Sequence, residues 1–200
     1  RRHVQRMADN LTGDWANQLA QLGKVEEAEE AYRASLSALE KALRYGGSPT
    51  DLFTEAFSRG LDSHGEFIDY YEPQTIYEHA SCQAKLGQFL AGQGRRDEAL
   101  KLLSQSDRVL YTVTAMAPRT PEYMDESAAV KQRLAELIAE QDPELAMGHR
   151  QTAIALLQEA LEITPRHVEY LVHLGDALHQ LGQLVYAQGK SAEAYSLLED

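Results

Sequence analysis

Apolar residues recur at three- and four-residue spacing along most of the chain, and no segment sustains the period-two alternation of a half-buried strand. Alanine, leucine and glutamine are abundant and β-branched residues sparse, so the pattern predicts an all-α fold. Pro49, Pro73, Pro118, Pro121, Pro143 and Pro165 all fall where one helical pattern stops or the next begins, the places where a missing N–H and a fixed φ do least harm. The predicted helices are 4–22, 25–45, 51–59, 64–71, 74–93, 96–116, 121–141, 149–164, 167–188 and 191–200. Ser48-Pro49-Thr50-Asp51 and Thr120-Pro121-Glu122 read as starts in which a capping residue precedes a first-turn proline.

An internal repeat emerges when the chain is aligned on Gly23, Gly94, Gly148 and Gly189. Five residues after each stands an alanine (Ala28, Ala99, Ala153, Ala194), and nine after each a large apolar residue (Tyr32, Leu103, Leu157, Leu198). Twelve after the first three stands a small residue, Ser35, Ser106 or Ala160. Seven before the glycine are Ala16, Gly87 and Gly182, and eight before are Trp15, Leu86 and Leu181; the third copy fails there, with Gln141 and Glu140. Small, large and small at spacings of four and three share one helical face, so the second helix of each unit can lie close against the first. The glycine supplies the turn between them. Such a hairpin cannot bury its apolar face alone, so consecutive units are expected to stack.

The sequence resembles a tetratricopeptide-repeat (TPR) protein. Leu178-x-x-Leu181-Gly182-x-x-Val185, Gly189 and Ala194-x-x-x-Leu198 follow the family pattern, as do Leu86-Gly87-x-x-Leu90, Gly94 and Ala99-x-x-x-Leu103; Ala153-x-x-x-Leu157-x-x-Ala160 and Pro165 follow its second half. The resemblance implies a single domain over 1–200, a right-handed superhelical solenoid of antiparallel helix hairpins with repeats at about 9–45, 74–118, 121–165 and 166–200. Residues 46–73 do not fit and read as an insertion or a degenerate repeat, with a solvated connector preferred over a dedicated binding loop. The glycine spacings of 71, 54 and 41 depart from the family's regular period, so the superhelix is expected to be irregular.

Charge narrows the partners. Thirty-one acidic against 19 basic side chains give −12, the wrong sign for wrapping a phosphate backbone, so nucleic acid is not expected. The single cysteine, Cys82, rules out an intrachain disulfide framework or a multi-cysteine zinc site and suits a reducing compartment, so a cytoplasmic location is expected. No apolar run is long enough to span a membrane. The chain opens at Arg1 without Met and stops inside a helical pattern, which suggests a piece of a longer protein.

No phosphate-cradling glycine loop, nucleophile elbow or zinc-protease histidine pair is present, so no enzyme and no cofactor are expected. Glu169, His173, Asp176 and His179 share one side of a helix and could hold a metal. Leu171, Leu174, Leu178, Leu181 and Val185 form that helix's apolar face, so the stripe stands where an amphipathic helix is polar anyway, and that reading is preferred. Cys82 reads as a small buried hydrophobe, and Trp15 and most tyrosines as packing residues.

In the TPR resemblance, polar side chains on first helices line a concave groove and hold a peptide backbone. Asn17, Gln88 and Gln183 stand six residues before their glycines, and an amide can both donate and accept. Asn10, Gln21, Ser81, Asp176, His179 and Tyr186 are placed around them on the same face. No Lys or Arg lines that row, so the basic clamp some family members use for acidic tails is unmatched, and a neutral or basic segment is the expected partner. The expected function is a protein-interaction scaffold that takes a partner's peptide or helix, with self-association compatible. The alternative is a regulatory or sensor segment of a larger signalling or transcription-regulating protein, acting by intramolecular contact or dimerisation.

Overall fold

The computed structural model describes residues 13–44, 73–187 and 189–190. Among these there are seven α-helices and no strand: α1 Asp14–Gln21, α2 Val25–Arg44, α3 Pro73–Gly92, α4 Arg96–Met116, α5 Pro121–Ile138, α6 Pro143–Ile163 and α7 Val168–Ala187. The expected helices 51–59, 64–71 and 191–200, the Ser48 start, and Ala194 and Leu198 of the fourth repeat lie outside the described residues. The chain divides into two compact units, Arg1–Val109 and Leu110–Asp200.

In the first unit, two hairpins turn in the same way. Gly23 and Gly94 both have φ of 75°. Gly23 N–H donates to Ala20 O at 3.0 Å and Lys24 N–H to Leu19 O at 3.0 Å; Gly94 N–H donates to Ala91 O at 3.0 Å and Arg95 N–H to Leu90 O at 2.9 Å. This paired capping satisfies the last carbonyls of one helix while a left-handed glycine reverses the chain. The next helix then runs back along the first. Ala28 and Ala99 are fully buried, and Tyr32, Leu103 and Ser106 lie beneath them in the core. A Cβ added to Gly87 would come 2.9 Å from Leu103 Cγ, and Ser106 Oγ donates to Ala80 O at 2.8 Å, so α4 is antiparallel to α3 and close against it. The two hairpins are also tied at the surface: the Arg95 guanidinium donates to both Glu29 oxygens at 2.8 Å and to Glu98 at 2.7 Å. The hydrogen bonds from Arg95 and then from Arg33 hold the Glu29 carboxyl below its usual range.

The second unit corrects one reading. Gly148 is not a turn: it lies inside α6, which starts at Pro143 rather than 149. Asp142 caps that helix, accepting from Leu145 N–H at 3.0 Å, and Pro143 fills the first turn, so the helix begins six residues early. The alanine ladder survives because the helix carries its phase straight through the glycine. Ala153, Leu157 and Ala160 are fully buried, packing on Ala128 and Met124 of α5 and on Tyr170, Ala177, Leu181 and Val185 of α7. Thr120 does stand before Pro121 at the start of α5, but its side chain makes no capping bond. Gly189, φ 80°, ends α7 with Gly189 N–H to Tyr186 O at 2.9 Å and Lys190 N–H to Val185 O at 3.3 Å, the arrangement seen at Gly23 and Gly94.

Candidate interaction face

α3 and α7 share a register, because Leu86-Gly87 and Leu181-Gly182 are buried at matching places, as are Leu90 and Val185. One residue past each glycine the side chain turns about 100° away from that contact, and both Gln88 and Gln183 are exposed. Gln183 is not idle: its amide N–H donates to His179 Nε2 at 2.9 Å, which holds the two side chains in one polar row on α7. Asp176, His179 and Tyr186 are exposed on the same helix, and Gln21 is exposed at the end of α1.

The other predicted residues are placed differently. Asn17 is half-buried, and its side-chain oxygen accepts from the Tyr32 hydroxyl across the first hairpin. That phenol is pushed up to about 12, chiefly by burial and then by the nearby Cys82 and Asp14. Ser81 is buried, because α3 is covered on nearly all sides. Asn10 lies outside the described residues.

The polar stripe on α7 does not converge on one point. His173 Nδ1 meets Asp125 Oδ1 of α5 at 2.7 Å, and His179 engages Gln183. Among the described residues no group of three His, Cys, Asp or Glu side chains is placed to hold a metal ion. Cys82 is buried as expected, its Sγ 3.9 Å from the Tyr32 carbonyl, and burial pushes the thiol up to about 11, which makes it a poor nucleophile. Trp15, read as a packing residue, is instead 47% exposed, since Ala16 and Leu19 are the residues of α1 that turn inward. Leu171, assigned to the apolar face of α7, is likewise exposed. Near it, at the turn between α6 and α7, is an open depression of about 440 Å³ lined by Thr164, Pro165, Arg166 and His167.

Sequence reasoning missed three buried polar features. Arg150 on α6 is buried and donates to the Gln180 side chain of α7, with Nε unpartnered; burial lowers its basicity. His79 on α3 is buried with neither ring nitrogen bonded, and burial pushes it down to about 4. Gln83, one turn on, has an unpartnered side-chain oxygen. None has a local signature, because each depends on which helix lies opposite.

In both hairpins that turn on a left-handed glycine and are described in full, a fully buried alanine stands five residues on and a buried large residue nine on. The hairpins are TPR-like. No family model matches the chain, and no curated protein sequence matches it. Among solved structures, the chain is similar to a kinesin light chain of Podosopora anserina with nearly identical TPR-like repeats, at 21% identity over 94% of this chain and 90% of that one, TM-score 0.39. It is also similar to the DHF58 filament, at 17% identity over 98% and 92%, TM-score 0.44. BtubC (BKLC) from P. vanneervenii is similar at 15% identity over 98% and 88%, TM-score 0.35. No described helix is long and apolar enough to cross a membrane.

Proposed function

We propose that the chain is a protein-interaction scaffold that holds an extended peptide or a helix of a partner against the polar faces of its first helices, and that it acts by binding rather than catalysis. The observation that carries this reading is the matched exposure of Gln88 and Gln183, amides at one register of two helices whose neighbouring residues are buried. An amide can accept from a peptide N–H and donate to its carbonyl at the same time, which suits sequence-tolerant backbone capture. In the second unit Asp176, His179 and Tyr186 are exposed with Gln183 on α7; in the first unit Gln21 at the end of α1 is exposed, as is Gln88 of α3. Asn17, half-buried, also ties the first hairpin together, its side-chain oxygen accepting from the Tyr32 hydroxyl.

The charge of −12 favours a neutral or basic segment as the partner. A buried lone cysteine with a raised pKa suits a cytoplasmic setting. The test is affinity capture on immobilised chain, comparing wild type with the Gln88→Ala/Gln183→Ala variant at matched helical content by circular dichroism. The reading expects proteins held by the wild type to be depleted at least tenfold from the variant. Equal recovery of the same proteins on both surfaces would remove the amide row as the site.

A further inference from the structure

Ala146, Arg150, Ala153 and Leu157 are all buried on α6, at the four- and three-residue spacings of one inward face. Arg150 is the exception in kind, because its guanidinium stays charged at every working pH. A buried charge is costly unless an opposite charge meets it, and among the described residues Arg150 makes no ion pair. Its bond is from Nη1 to the side-chain oxygen of Gln180 on α7, while its Nε–H is enclosed and unmet. Glu136 of α5 acts on the guanidinium only through its charge, and that exposed carboxylate is already held by Arg133 at 3.0 Å. Gln180 has spent its oxygen on Arg150, and no acceptor among the described residues meets its amide nitrogen. The pair therefore offers N–H donors and one positive charge, with no matching anion. A water molecule could accept one of these bonds but would leave the charge unbalanced; an oxyanion does both.

We propose that Arg150 and Gln180 form a binding site for a small oxyanion, a phosphate or a carboxylate, at the contact of α6 and α7. The opening is narrow, since Arg150 is 8% exposed and Gln180 half-buried, and this suits a free anion better than a group carried on a chain. The anion accepts from the guanidinium and from the Gln180 amide, so it ties the two helices together and stabilises the second unit. Neither residue belongs to the amide row, and the site stands without it.

The probe is inorganic phosphate, titrated into the full chain at pH 7.5 against sodium chloride of equal ionic strength. Phosphate is expected to raise the thermal midpoint of the wild type by about 2–4 °C more than that of Arg150→Met, and to saturate. The variant carries the general stabilisation that phosphate gives any folded chain. In nitrogen-15 spectra the Arg150 Nε–H signal, identified by its loss in Arg150→Met, is expected to move with the same titration. Gln180→Glu sets a carboxylate beside the guanidinium; it is expected to raise the midpoint in chloride and to abolish the phosphate response. Sodium acetate in place of phosphate distinguishes the two classes of anion, a matching response assigning the site to carboxylates.

Three results would overturn the proposal. One is an equal phosphate shift in the wild type and Arg150→Met with acetate also without effect, which would leave only a general salt effect. Another is a Gln180→Glu chain less stable in chloride than the wild type. The third is strong coupling of Arg150 and Glu136 in a double-mutant cycle in chloride, which would show the guanidinium paired within the chain.

Discussion

His79 lies in the first unit with both ring nitrogens buried and unbonded, so only its neutral form suits the folded chain. Its folded pKa of about 4 is below the ordinary 6.5, so between those values the unfolded chain binds more protons and folding is opposed as pH falls. Stability is expected to be level above pH 6.5 and then to decline by as much as ~1.4 kcal/mol per pH unit toward pH 4 from this residue. His79→Phe should flatten that limb in urea titrations at pH 5 to 7.5 without loss at pH 7.5; an unchanged acid slope would contradict the assignment. Arg150 invites a second measurement, because its visible hydrogen-bond partner is the neutral Gln180. Gln180→Ala should destabilise by about 1–3 kcal/mol, since a buried donor is left unmet. Arg150→Met should cost much less, or nothing, because the donor is removed together with its need. Pairs such as Arg150–Gln180, Asp125–His173 and Asn17–Tyr32 join residues 30, 48 and 15 apart in the chain, and no spacing rule announces them; they follow only once it is known which helices are neighbours.

At the scale of elements, the same letter serves opposite purposes. Gly94 adopts φ 75° in a turn and Gly148 sits inside α6, yet a Cβ would meet no atom within 4 Å at either place. Backbone conformation alone therefore separates them. Gly94→Ala is expected to lower stability by about 1 kcal/mol through the left-handed backbone, and Gly148→Ala to raise it by a similar amount through helix propensity. Thermal melts of the two variants in opposite directions would check this; a shared direction would not fit. Gly148 was misplaced from sequence because the alanine and leucine that follow it kept the repeat spacing. The competing signal, Asp142-Pro143, was present and is the stronger one, since a capping carboxylate and a first-turn proline fix a helix start directly. Helices without such conflict, α4 above all, were legible to the residue because Gly94 closes the turn before it and Pro118 follows its end.

For the whole molecule, the division of labour is between small residues that set helix spacing and polar residues left outside. Ala28, Ala99, Ala153 and Ala160 are fully buried, and each stands where a larger side chain would push two helices apart. Ala99→Leu is expected to destabilise the first unit by about 1–3 kcal/mol through overpacking, measured by urea unfolding. This layer was readable in advance because burial of small residues at fixed spacing is a property of single helices. The proposed interaction face was only half readable. Gln88 and Gln183 are exposed as the repeat suggests, while Ser81 is covered and Leu171 is uncovered, both decided by how many helices surround their own.

The interaction account is tested most directly by probing the labelled full chain on an array of extended peptides graded from net negative to net positive, beside its Gln88→Ala/Gln183→Ala variant. It predicts wild-type signal concentrated on neutral and basic peptides and reduced at least tenfold in the variant. Signal that favours acidic peptides, or that is the same for both chains, would contradict it.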